Sequence, residues 1–358
     1  MSGILDAIGL ISGVLGIISF GQDNLPKSNT KGSTVRVTVG LDVSGGLSNA
    51  EGDLPDVRLF NEAGDFLGIT ADPGKVKSGD FGDITVNHEN DSGQQASYAL
   101  FSANNDAICV AYSSITWTSG DQYAWIGDWG KQCGGAWYYS NVYISASGVT
   151  PNCLWIDANG DTPQTGFQVH WPEFVDTNGS SIPSDPSDSA DKVKYFCNAG
   201  PPFKMYKYPD DKDPRSITAW TLSNKRSLSD ELVPASEVSY GPPKSPVSAK
   251  FQSKEHKRRD SQGLSSRLAS SLVLGHSDQH SAQELCSSST SVGPDLVHLK
   301  HGQFCRMSDK TLWPVCDGAD VTDNCFNSDL MKLVVNGVAA RDEPYNNIID
   351  WTSGFKKQ

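Results

Sequence analysis

Val35-Arg36-Val37-Thr38-Val39-Gly40-Leu41-Asp42-Val43 alternates apolar and polar side chains with a period of two. In an extended chain successive side chains point to opposite faces, so this pattern predicts a strand with one face buried. Similar short runs follow at residues 56–60, 66–70, 81–86, 97–103, 107–117, 123–125, 137–145, 153–157 and 167–171. Turn formers separate them, among them Asp72-Pro73-Gly74, Ser119-Gly120-Asp121 and Ala158-Asn159-Gly160. Many short strands with almost no helical periodicity predict a mainly β protein, an antiparallel β-sandwich of jelly-roll type over residues 34–203.

The cysteines divide the chain in two. Cys109, Cys133, Cys153 and Cys197 form one group; Cys286, Cys305, Cys316 and Cys325 form another. Four in each group suits disulfide pairing, with connectivity left open among three pairings per group. No CxxC occurs, which argues against a structural zinc site. Disulfides persist in oxidising compartments, so the sequence predicts a secreted or cell-surface protein. Residues 208–283, rich in Ser, Pro and Lys, read as a disordered basic linker, and residues 284–355 as a small stapled C-terminal module. Within the linker, Lys225-Arg226 and Lys257-Arg258-Arg259 are candidate processing sites at Lys225, Arg226, Arg258 and Arg259.

Four segments of the sandwich resemble a PLAT (C2-like) domain, over about residues 34–145. Val35 to Val39 looks like its opening strand, and Asp56 to Phe60 with Asn61 to Asp65 like its second strand and turn. Lys77 to Val86 is similar to the segment entering the central strand, and Trp137 to Ile144 to the closing tryptophan strand. Between Ala107 and Gly135 the chain departs from the family, with extra length and two cysteines. The resemblance implies a module that docks on lipid or protein rather than a catalyst.

Residues 4–20 are apolar apart from Asp6, Ser12, Ser19 and the glycines. Drawn as a helix, they place Ile4, Ile8, Ile11, Leu15 and Ile18 on one face. The domain 1–21 is therefore expected to be a signal peptide cut after Gly21 or a retained amphipathic helix contacting a membrane. The net charge is −13, with balances of −14 over residues 1–201, +4 over 202–260 and −3 over 261–358. An acidic main domain excludes nucleic acid as a partner.

Six of nine tryptophans lie between Trp117 and Trp171, and Trp117, Tyr123, Trp125, Trp129 and Tyr138 are candidate ligand-binding rings for a glycan, lipid or protein surface. Asp157, Asn159 and Asp161 form a weak candidate Ca2+ site, while Asn159-Gly160 is also a hairpin signal. His170 near Glu173 is the one acid–base pair in reach, and no nucleophile elbow, HExxH, Walker or GxGxxG motif occurs, so no catalytic residue is assigned. The expected function is a non-enzymatic extracellular binding protein without cofactor. Its alternatives are a membrane-active effector using residues 4–20 and a hydrolase. Alkylation of the native protein without reductant should leave its mass unchanged, and after reduction all eight cysteines should be modified; thiols that react before reduction would refute the extracellular reading.

Overall fold

The computed structural model describes residues 4–11, 13–40, 50–89, 93–176, 182, 185–220, 264–318, 321–339 and 345–352. Strand β1 (Leu5–Ile11) and β2 (Val14–Phe20) precede the sandwich. The first sheet is built from β3 (Gly32–Val39), β6 (Phe81–Asn87), β8 (Ile108–Thr116), β9 (Gln122–Ile126), β10 (Trp137–Tyr139) and β11 (Asn152–Ile156). Its order is β10-β11-β8-β3-β6, with β9 also on β8. The second sheet contains β4 (Asp56–Phe60), β5 (Phe66–Thr70), β7 (Tyr98–Ser102), β12 (Gln164–His170) and β13 (Phe203–Lys207), in the order β13-β12-β7-β4-β5. All these pairings are antiparallel. Val35, Val37, Val57, Leu59, Phe101 and Phe167 fill the core between the sheets.

Strand β3 is buried on both faces rather than one. On its polar face Arg36 donates to both Asp83 carboxylate oxygens, at 2.7 and 2.8 Å, and to the Asp23 carbonyl. The polar leader supplies the cover. Ser114 and Thr116 donate to the carbonyls of Asn24 and Pro26, and the Asn24 amide donates to the Tyr112 hydroxyl.

The helix expected over residues 4–20 is a β-hairpin. Register runs from Leu5 opposite Phe20 to Ile11 opposite Val14, so the turn has two residues, and Gly9 faces Gly16. Three glycines and five isoleucines make a poor helix, whereas β-branched residues suit a strand, and Gly13 at φ +80 meets the backbone demand of a tight turn. Ile18 and Phe20 are fully buried, and Ala7, Ile8, Leu10 and Leu15 join the same core. Among the described residues no helix is long and apolar enough to cross a membrane.

Three other boundaries move. Strand β10 ends at Tyr139 instead of near 145, where Asn141 turns the backbone to φ +53. The span 34–203, expected to be sandwich strands, also contains helix α2 (Pro186–Asn198); Asp185 caps it by accepting from the Ser187 amide, and Pro186 is its first residue. The linker also has ordered flanks. Ile217 and Ala219 are buried on one side, and helix α3 (Leu264–Ala269) starts the C-terminal lobe on the other. The candidate processing residues Lys225, Arg226, Arg258 and Arg259 lie outside the described residues.

The C-terminal lobe adds β14 (Ser271–Gly275), α4 (Ala282–Ser287), β15 (Asp295–His298), β16 (Gln303–Arg306), β17 (Thr311–Pro314), β18 (Cys325–Asn327), β19 (Lys332–Val335), β20 (Val338–Ala339) and β21 (Asn347–Asp350). Five strands form a sheet in the order β17-β16-β15-β14-β21, with β14 parallel to both neighbours. Disulfides join Cys109 to Cys153, Cys133 to Cys197, Cys286 to Cys305 and Cys316 to Cys325, so each cysteine group pairs within itself.

The lobes are not independent: one hydrophobic cluster runs through both. Residues 290–292 lie along the free edge of β10, with Trp137 bridging Ser291, its amide donating to Thr290 and its carbonyl accepting from Val292. The indoles of Trp137 and Trp155 donate to Ser288 Oγ and the Val292 carbonyl, and the Tyr138 hydroxyl donates to the Pro294 carbonyl at 2.9 Å. Gly293 lies so close to Tyr138 that a Cβ there would sit 2.0 Å from the ring. Gly293→Ala should cost about 1–3 kcal/mol, the usual range for overpacking, and the thermal midpoint should fall accordingly. An unchanged midpoint would mean that the contact is not tight.

Candidate functional site

The rings expected to bind ligand are mostly core. Trp117, Trp125, Trp129 and Tyr138 are at most 2% exposed, and Tyr123 is half-buried against Trp117. Trp125 stacks on Phe167 and Phe203. Trp129 packs on Phe174 and Phe196 and donates its indole N–H to the Ile8 carbonyl, which fixes the hairpin. Tyr138 is sealed under the C-terminal lobe. The cause is layering: hairpin, α2 and second lobe cover what a bare sandwich would expose. These five residues form no open platform.

Asp157, Asn159 and Asp161 lie on the turn that carries the chain from β11 in one sheet to β12 in the other, so the two strands do not pair as a hairpin. The Asp157 carboxylate accepts from the amides of Asn159 and Asp161, at 3.1 and 2.7 Å, and Gly160 takes φ +94. Burial raises the Asp157 carboxyl to about 6. Among the described residues no three His, Cys, Asp or Glu side chains gather into a set that could hold a metal ion.

His170 does meet Glu173, with Nδ1 2.8 Å from its carboxylate. A second carboxylate, Glu62 from the turn after β4, takes Nε2 at 2.8 Å. Tyr98 stacks on the imidazole at 4.2 Å, and the Trp220 indole donates to Glu173 at 2.6 Å. Burial alone would lower the imidazole pKa, but the bonds and charges of Glu173 and Glu62 outweigh it and raise the value above 6.5. Both ring nitrogens are occupied, so neither can take a substrate proton. The pair is a clamp that pins Trp220.

A cleft of about 560 Å3 lies where hairpin, sandwich and C-terminal lobe meet. Helix α1 (Asp128–Gln132) forms one wall. Gly127 before it passes so near the carbonyls of Asn152 and Val110 that a side chain would collide with them, which brings Asp128 to Asn152. Asn152 donates to both Asp128 oxygens, at 3.0 and 2.6 Å, yet burial pushes that carboxyl up to about 7. Opposite, Glu284 takes Lys131 on one oxygen at 2.6 Å and the Tyr139 hydroxyl on the other at 2.7 Å. Ser281 caps α4 by accepting from the Glu284 amide, a Ser-x-x-Glu pattern whose glutamate is diverted across the junction. The hairpin tip contributes Leu10, Ile11 and Gly13.

His280 also lines this cleft. It is 2% exposed, packed at a tilt between the rings of Tyr139 and Trp351, and neither ring nitrogen has a hydrogen-bond partner in the protein. Burial, with His298 and His276 nearby, pushes it down to about 3. The sequence reading missed Asp128, Lys131, Tyr139, His280 and Glu284 as a set. Only the capping pattern Ser281 to Glu284 was visible, and it says nothing of the junction.

No family model and no curated protein matches the chain.

The His170 clamp gives a pH dependence of definite sign. A histidine whose folded pKa lies above its unfolded value contributes fully below about pH 6.5 and loses that contribution as pH rises through the folded value. Thermal midpoints of the wild type should therefore decline from pH 6 to 9 more than those of His170→Gln. Parallel pH profiles would show that the imidazole is not charged in the clamp.

Proposed function

We propose that the chain is an extracellular, non-enzymatic binding protein whose ligand sits in the cleft between its lobes. The observation carrying this reading is the cleft itself, about 560 Å3 and lined by Asp128, Lys131, Tyr139, Ser281 and Glu284 from both lobes with Leu10 and Ile11 of the hairpin. Ligand sites are commonly concave openings between lobes that combine an apolar wall with a few convergent polar groups. The four disulfides support an oxidising environment. The resemblance of residues 34–145 to PLAT domains supports docking rather than catalysis. On this reading residues 4–20 stay on the mature protein, because Ile18 and Phe20 fill its core. Cutting at the basic clusters would leave two fragments without a disulfide between them.

Membrane contact is the second reading, and it has one observation of its own. Ile11 and Val14 at the hairpin tip are 42% and 61% exposed. A short apolar tip of this kind can dip into a lipid interface, with the hairpin replacing the helix of the sequence-based expectation.

Thermal-shift screening of the full chain against sugars, lipids and metabolites tests the first reading. Ligand at a hundredfold excess over its dissociation constant stabilises by about 2.7 kcal/mol, and Gln132→Trp, on the exposed wall of the cleft, should abolish the shift. A ligand that shifts both proteins equally binds elsewhere and overturns the cleft assignment. Co-sedimentation with neutral vesicles, lost in the Ile11→Ser/Val14→Ser double variant, would instead support the membrane reading.

A further inference from the structure

We propose that the junction between the lobes is an acid-sensitive latch: protonation of two buried histidines, His280 and His298, detaches the loop 276–281, and with it the second lobe, from the sandwich. This goes beyond the cleft reading and does not depend on what the cleft holds.

The loop joins β14 to α4 and meets the sandwich through three consecutive residues. Gln279 accepts from the amide and the hydroxyl of Thr150, both at 2.9 Å, and donates to the Gly148 carbonyl. The Ser281 amide donates to the Tyr139 hydroxyl at 2.9 Å. Between them His280 packs its ring 4.7 Å from that of Tyr139 in the sandwich and 5.1 Å from that of Trp351 in the second lobe. Its nitrogens are buried without a hydrogen-bond partner, so a proton added there creates a charge with neither water nor an acceptor to hold it.

His298, at the end of β15, resists a proton for a different reason. Its Nε2 lies 2.9 Å from the Ser277 carbonyl and its Nδ1 lies 3.1 Å from the His301 amide nitrogen. The amide must donate, so Nδ1 is the acceptor and the ring hydrogen sits on Nε2. A second hydrogen, on Nδ1, would face the amide N–H and break that bond. The His301 ring stacks on His298 at 4.0 Å, so charge on both rings would repel.

The nearby carboxylates are engaged elsewhere. Asp278 holds Lys300 through both oxygens and lies 3.6 Å from His301. Glu284 takes Lys131 and Tyr139, and Asp350, beside Trp351, accepts from Thr352. Asp128, raised by burial, keeps its Asn152 donors, which belong to the same lobe. His276 and His301 only add positive charge as the pH falls. Burial accordingly pushes His280 down to about 3, and it lowers His298 despite the bond to Ser277. A histidine whose folded value lies below its unfolded value of about 6.5 contributes stability that is complete above that pH and lost as pH falls below it.

Amide hydrogen exchange of the full chain, corrected for the intrinsic effect of pH on exchange, tests this. From pH 7.5 to 5.5 the opening constants of segments 136–139 and 281–292 should rise at least about tenfold, the change imposed when one histidine moves from about 3 to its ordinary value. At pH 5.5 these segments should open at least about tenfold more often than residues 34–39 of β3. His280→Phe keeps a ring between Tyr139 and Trp351 but nothing that titrates, so it should remove about tenfold of the rise. His280→Gln, uncharged at every pH, takes its place if the phenylalanine variant does not fold. His298→Gln keeps a neutral donor and acceptor and should also weaken the response. A wild-type junction indifferent to pH, a rise undiminished in a folded His280 variant, or equal opening of the junction and β3 at pH 5.5 overturns the latch.

Discussion

The structure depends on how the edge strand Trp137–Tyr139 is covered. Three consecutive aromatics on a strand cannot all face one core, because side chains alternate. Each of these rings also carries a polar group that must be satisfied when water is excluded. The second lobe solves both problems: residues 290–292 occupy the free backbone edge, and Ser288, Pro294, Ser281 and Glu284 take the indole and hydroxyl hydrogens. An exposed edge strand is a template for pairing with another chain, and residues 290–292 occupy that edge here. The cleft lies beside this docked edge, where the second lobe faces the hairpin tip and α1.

Two histidines show how surroundings, not residue type, set charge. His170 and His280 are almost equally buried, at 4% and 2% exposure. Two carboxylates flank the first and raise its pKa against the pull of burial; the second has only aromatic rings and other histidines nearby, so desolvation prevails and lowers it to about 3. The first is thereby committed to holding the fold. The second contributes through packing alone, against Tyr139 and Trp351.

The sandwich was legible because its strands carry a local signal. Residues 56–60 and 66–70 fall where the pattern placed them, and the cysteine grouping matches the observed pairing. Residues 4–20 misled because Ile4, Ile8, Ile11, Leu15 and Ile18 mimic a helical stripe, whereas the true register folds the segment back on itself. Helix α2 had a readable cap in Asp185-Pro186, masked by a composition typical of loops. The cleft was not legible. Asp128, Tyr139, His280 and Glu284 come from both sides of the linker, and no short-range pattern in the chain reports that they meet.

The confinement of every disulfide to its own lobe has a thermodynamic corollary. Across the junction only non-covalent contacts and the connecting polypeptide operate, so the linker acts by keeping the local concentration of one lobe near the other high. Severing it would convert an intramolecular contact into a bimolecular equilibrium, and dilution would then govern whether the cleft persists.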